Sequence, residues 1–208
     1  ELVPYCAWNP VKLVDPDGNE VADYYDRNGR WLGTDGENNN MAYVTKSVTK
    51  NSKGIVVFSE DAQLLSITNE ELLDRAAWVC GESGGSSETV TQRTQNVGDA
   101  SNVSDATEAD YYAFAINNAV KRFKTFDKAA KILMKKTENN ETVSTYDGYF
   151  TGTGKGGNSN SKAFANARAN GYNNINKDAR FPNSIAAVIR SVSGKMSDPT
   201  GGCRGWLG

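Results

Sequence analysis

The sequence predicts an α+β chain: a mainly helical body over 68–208, preceded by a short β-rich lead segment. Three observations carry that expectation. Turn signals alternate with short extended runs through the first third of the chain. Two Thr-x-x-acid signatures, Thr68 to Glu71 and Thr107 to Asp110, then open apolar stripes at helical spacing. A third stripe follows Pro182, well placed in a helix first turn.

In the lead, Asn9-Pro10, Asp15-Pro16-Asp17-Gly18 and Asn28-Gly29 mark turns. VKLV (11–14) fits a strand, and VADYYDRNGRWLG (21–33) a hairpin about Arg27-Asn28-Gly29. DGENNN (35–40) reads as a polar break. GIVVF (54–58) is the strongest strand candidate, with AYVTKSV (42–48) as its expected partner. These features divide the chain into 1–36, a small β-rich linker at 37–67, and the helical body.

In the body, Leu72, Leu73, Ala76, Val79 and Cys80 define the first buried stripe, and Glu71 is expected to complete a capping box with Thr68. Residues 83–106 are polar and short-sided, a long loop. Tyr111, Tyr112, Ala115, Ile116, Ala119 and Val120 line the second helix. FDKAAKILMKKT (126–137) reads as a third, with a basic end that suits the helix dipole. TYDGYFTGTGKGGNSNS (145–161) is loop-like, SKAFANARANGY (161–172) a short helix ended by Gly171, and Ile185, Val188, Ile189 and Val192 mark the last helix. Such stripes must pack on one another, so a compact helical bundle is expected in the body, not a parallel sheet.

Composition narrows the chemistry. Of 208 residues 38% are apolar, so long polar loops surround a real core. The net charge of -2 does not suggest a nucleic-acid surface. No apolar run of about 18 residues exists, so no membrane-spanning helix is expected. The opening residues lack a signal-peptide pattern, so export would use another route or sequence upstream. Histidine is absent, which removes Ser-His-Asp and Cys-His catalysis and the usual histidine-containing zinc sites. Cys6, Cys80 and Cys203 form no closely spaced metal-ligand pair; they leave room for one disulfide, with reduced or buried thiols the expected state. GTGKGG (152–157) lacks the phosphate-loop pattern, and DPDGN (15–19) lacks an EF-hand's twelfth-position ligand. No metal or cofactor is expected.

Carboxylates remain. Glu82, in AAWVCGESGGSS (76–87), ends an apolar run at the negative end of a helix dipole, where burial would favour a neutral, proton-donating acid. A solvated glutamate in a Gly/Ser loop is the ordinary alternative. Gly81, Gly84 and Gly85 would let a long polymer approach the backbone, beside Ser83. Glycosidic cleavage normally uses two carboxylates. Asp147, between Tyr146 and Tyr149, is placed to orient water or bind sugar hydroxyls while the rings stack on sugars; an Asp-Gly turn explains it equally well. Asp198, in SDPTGG, fits an Asx-type turn. Tyr112, Asn117 and Asn118 reach either a groove or a surface network, and Arg180 and Phe181 precede a helix start where Asn183 suits local polar contacts. The basic cluster from Lys121 to Lys136 fits a solvated face, with an anionic polymer or acidic partner as its other use.

Two resemblances extend this reading. WNPVKLVDPDGNEV (8–21) resembles the closing segment of the Rhs repeat-associated core domain of polymorphic toxins, with Trp8 in place of a small residue. That implies a toxin tip carried by an Rhs protein, exported with its carrier by a type VI secretion system, active in the periplasm or wall of a target bacterium, and neutralised at home by an immunity protein.

ELLDRAAWVCGESGG (71–85), AFAINNAVKRF (113–123), FPNSIAAVI (181–189) and DPTGGCRGW (198–206) together resemble the cell-wall hydrolases related to the spore cortex-lytic enzyme. The FPNSI-like segment stands later than the family order, Arg122 is displaced from the family's Asn-Arg pair, and Cys203 replaces an alanine. The resemblance implies a lysozyme-like fold with Glu82 as catalytic acid, and a substrate groove to which Ser83, Tyr112, Asn118, Thr200 and Trp206 contribute. The expected activity is cleavage of the peptidoglycan glycan strand, by water or by the sugar's own hydroxyl. The alternatives are a non-enzymatic glycan- or protein-binding module and a nuclease toxin of the same delivery class; the common amidases need histidine or zinc.

Overall fold

The computed structural model describes residues 21–87, 106–138, 141–144 and 158–203. Over these the chain is α+β, a small mixed sheet and several helices. The lead forms β1 (Val21–Tyr25), β2 (Trp31–Asn38), β3 (Met41–Val44), β4 (Ser47–Lys50), β5 (Val56–Glu60) and β6 (Gln63–Thr68). Four of these make one sheet in the order β2-β1-β3-β6, with β1 and β3 parallel and the other pairs antiparallel. The expected hairpin is present: the Asp26 carboxylate accepts from the backbone N–H of Asn28 and Arg30, at 2.8 and 2.9 Å, and closes its turn. Gly29 sits at φ 76°, and a Cβ there would lie 2.5 Å from the Ala186 nitrogen, so the hairpin tip packs backbone-first on the last helix.

Two expectations for the lead change. AYVTKSV is not one strand: Ala42 to Val44 join β1 and β6, and only Ser47 onward pairs with β5. Thr45 makes the division, because its buried hydroxyl donates to the Ser47 and Glu60 carbonyls and turns the chain between the sheets. DGENNN is only partly a break, since β2 continues through Asn38.

The body comprises α1 (Asn69–Ser83), α2 (Glu108–Phe123), α3 (Phe126–Leu133), a hairpin of β7 (Lys135–Glu138) and β8 (Glu141–Ser144), then α4 (Ser159–Ala169), α5 (Tyr172–Ile175) and α6 (Arg180–Ser193). Thr107 and Asp110 form the expected reciprocal capping box. At α1 only half of it forms: Thr68 accepts from the Glu71 N–H, while the Glu71 carboxylate turns to Arg75. The third helix stops at Leu133, not Thr137; Met134 leaves the helical region at ψ 67°, and Lys135 onward enters the hairpin. Among the described residues the body is therefore helical with one hairpin.

Helix α1 is the hub, packed against α2, α4 and α6. Leu72, Leu73, Ala76, Val79 and Cys80 are all buried, as their spacing predicts, and Trp78 meets Phe126 edge-on at 6.2 Å. A buried cation adds direction to this packing. Arg75 donates to Glu71 and to the Asn117 Oδ1 at 3.0 Å, and the Asn117 amide donates to the Ser191 carbonyl at 2.8 Å. Three helices thus share one polar junction, which fixes their register where apolar contacts alone would let them slide.

A second junction ties the lead to the body. Asp23 is 1% exposed and accepts from Trp31 Nε1 at 2.6 Å and from Asn69 Nδ2. The Tyr25 hydroxyl donates to Asn69, and Tyr172 stacks on Trp31 at 5.4 Å. Burial outweighs these donors and pushes the Asp23 carboxyl up to about 6.

Candidate active site

Glu82 occupies the last turn of α1, partly exposed, on a helix whose other face is core. The helix end that carries it is tied by identifiable contacts. The Ser83 hydroxyl donates to the Val79 carbonyl at 2.7 Å and accepts from the Gly85 N–H at 3.1 Å. Gly84 and Gly85 both take positive φ, 65° and 67°, and the Gly84 N–H closes the helix on the Cys80 carbonyl. A Cβ at Gly85 would lie 2.6 Å from Arg180 Cα, so α6 approaches the loop too closely for any side chain.

The surroundings come from α4 and α6. Asn158 caps α4 and donates to the Gly81 carbonyl. Arg180 donates to Asn160 at 2.7 Å and forks onto Asp178, which holds the Asp178 carboxyl below its usual range. Asn183 donates to the Gly85 carbonyl at 3.1 Å, a long-range tie in place of the local contact expected of it. The Cys80 thiol is buried against the Asn160 carbonyl, and burial raises it to about 11, an inert state.

A second group assembles where the chain leaves α6. The Asn118 amide donates to Asp198 Oδ2 at 2.7 Å, to Thr200 Oγ1 at 3.3 Å and to the Cys203 carbonyl at 3.1 Å. Asp198 closes the expected Asx turn, accepting from the Thr200 N–H and hydroxyl and from the Gly202 N–H. Burial alone would raise its carboxyl, but the hydrogen bonds from Thr200, Asn118 and the Gly202 backbone outweigh it and hold it below the usual value. Beside this knot lies an open depression of about 340 Å³, lined by Glu108, Tyr111, Tyr112, Ala115, Pro199, Thr200 and Cys203. One rim carboxylate, two tyrosines and a threonine hydroxyl suit a polar ring ligand with an apolar face.

Tyr112, Asn118 and Thr200 are thus brought together; Glu82 and Ser83 stand elsewhere. Helices α1 and α6 run antiparallel, with Gly85 beside Asn183 and the Asn117 junction at Ser191. Those α6 positions are eight residues apart, roughly 12 Å along a helix. Ser83 acts as a brace, both its hydroxyl bonds being to backbone.

Asp147, Tyr146, Tyr149 and Trp206 lie outside the described residues, as do Cys6, DPDGN, GTGKGG and all of the Rhs-like opening before Val21. Lys121, Arg122, Lys124, Lys128 and Lys131 form an exposed face, with Lys131 bridged to Asp127 at 2.9 Å. Among the described residues no three acidic or cysteine side chains converge to hold a metal ion, and no helix is long and apolar enough to cross a membrane.

Sequence reasoning missed Glu108 and Tyr111 at the depression, and Asn158 and Asn160 against the end of α1. The Asn158-x-x-Ser161 cap signature was available; nothing in the sequence says that it closes on Gly81. Compared with protein-family models, curated proteins and solved structures, the chain matches none of them.

Proposed function

We propose that residues 68–208 form a lysozyme-like effector domain that cuts the β-1,4 bond following N-acetylmuramic acid in peptidoglycan. Glu82 is the general acid. It protonates the bridging oxygen as the bond to the anomeric carbon breaks and an oxocarbenium-like state forms. In a muramidase, water then attacks that carbon and gives up a proton. In a lytic transglycosylase the muramic acid's own 6-hydroxyl attacks, Glu82 takes its proton, and a 1,6-anhydro ring closes. The second route needs one carboxylate, the first a second group such as Asp147.

The observation that carries this reading is the mount of Glu82: a partly exposed residue on the last turn of a buried helix, whose end is tied by Ser83 and by two positive-φ glycines. Fixed placement is what a general acid requires of its scaffold. The Asn118–Asp198–Thr200 knot supports it further, since it joins two of the segments that resemble the cell-wall hydrolases and borders an aromatic depression. Delivery by an Rhs carrier and a type VI apparatus, and restraint by an immunity protein, complete the proposal.

The test is compartment-specific killing. Expressed in a bacterial host, the chain kills when sent to the periplasm and spares the cell when kept in the cytoplasm; Glu82→Gln is harmless in both. Killing from the cytoplasm alone would point to a nuclease, and undiminished periplasmic killing by Glu82→Gln would remove the general acid.

A further inference from the structure

A second cavity, remote from Glu82, opens beside the lead sheet at the C-terminal end of α6. This half-open cleft has a volume of about 500 Å³, within the range of small-molecule sites. Its floor is apolar: Val44 of β3, Leu65 of β6 and Ile189 of α6 are buried, and Met196 adds a flexible wall. Its charged groups are Arg27, Arg190, Lys195 and Asp110, three cations against one carboxylate.

That carboxylate is already committed. Asp110, 1% exposed, accepts from the Thr107 N–H and hydroxyl through Oδ2 and from Arg190 Nε through Oδ1, at 2.7 Å. It engages the guanidinium through Nε, and so orients it beside the cavity that Arg190 lines. Arg27 stands on the β1–β2 turn, which Gly29 seats against α6, and Lys195 follows Gly194, whose positive φ of 67° ends that helix. Neither forms an ion pair among the described residues.

The geometry points to a binding site for a small amphipathic anion, an apolar chain or ring bearing one carboxylate. The apolar body fills the cleft between sheet and helix, and the head group sits on Arg190 with Arg27 and Lys195 at the rim. Polar sugars do not suit such a floor, so the site is distinct from the proposed glycan groove and does not depend on Glu82.

Displacement of 8-anilinonaphthalene-1-sulfonate from the full chain at low salt tests this, with octanoate and octan-1-ol as competitors of equal chain length. The dye should bind saturably at one site, and octanoate should displace it at far lower concentration than octan-1-ol. Arg27→Gln and Lys195→Gln, both at exposed positions, should each weaken octanoate about threefold, and about tenfold together. Arg190→Gln should weaken it about tenfold, its fold checked by circular dichroism. Non-saturable dye binding, equal displacement by the alcohol, or unchanged octanoate affinity in the Arg27→Gln/Lys195→Gln double variant would overturn the assignment.

Discussion

Asn118 and Asp198, 80 positions apart, meet through a 2.7 Å hydrogen bond that joins the second helix of the body to the turn beyond the last one. The same amide reaches Thr200 and the Cys203 carbonyl, so one side chain shapes the whole turn. Asn118→Ala removes three acceptors' partner at a partly exposed site, with an expected cost of about 1 kcal/mol. Urea unfolding measures that, and limited proteolysis should show earlier cleavage within 198–203. Asp198 adds a pH signature. Its folded pKa is depressed, so its contribution is present above the unfolded value and is lost as pH falls through the folded one. The turn should loosen only in acid, below about pH 4.

Asp23 behaves in the opposite sense. Its folded pKa of about 6 lies above the ordinary 3.8, so the folded state favours the protonated form. That contribution is complete below about pH 4 and is lost as pH rises through 6, a change of about 3 kcal/mol. Relative to Asp23→Asn, the native chain should lose stability between pH 4 and 7, read from paired thermal melts. Carboxyl NMR should place the titration midpoint near 6.

Trp78→Ala empties the centre of the hub helix, where the ring is 1% exposed and meets Phe126 edge-on. The expected loss is about 3–5 kcal/mol in equilibrium urea unfolding.

Gly85→Ala probes the mount. It combines a positive φ of 67° with a Cβ lying 2.6 Å from Arg180 Cα. Strain and clash together should cost roughly 2–4 kcal/mol and displace the loop after Glu82. Periplasmic killing should fall even at temperatures where circular dichroism shows the variant folded, whereas Gly54→Ala, in a turn with open space around it, should keep killing at its native level.

How much of this was legible depends on how local the cause is. The α1 stripe, the Thr107–Asp110 box, the Asx turn at Asp198 and the hairpin about Asn28-Gly29 follow from residues a few positions apart, and each reads correctly. Where neighbours compete, sequence fails. Glu71 suits a capping box until a buried Arg75 needs a partner. AYVTKSV looks like one strand until Thr45 bonds across to Glu60. KKT suits a helix end but pairs in a hairpin. The site divides likewise: Glu82 at a helix end was visible, and so were Tyr112, Asn118 and Thr200 as candidates. Their clustering away from Glu82 depends on the antiparallel packing of α1 and α6, which no local spacing encodes.

The decisive measurement is the mass of what purified peptidoglycan releases on incubation with the protein and with Glu82→Gln. Native protein should liberate muropeptides with new muramic acid ends, either reducing or 1,6-anhydro, and the variant none. Intact glycan strands after native treatment, or equal release by the variant, would contradict a transferable proton at position 82.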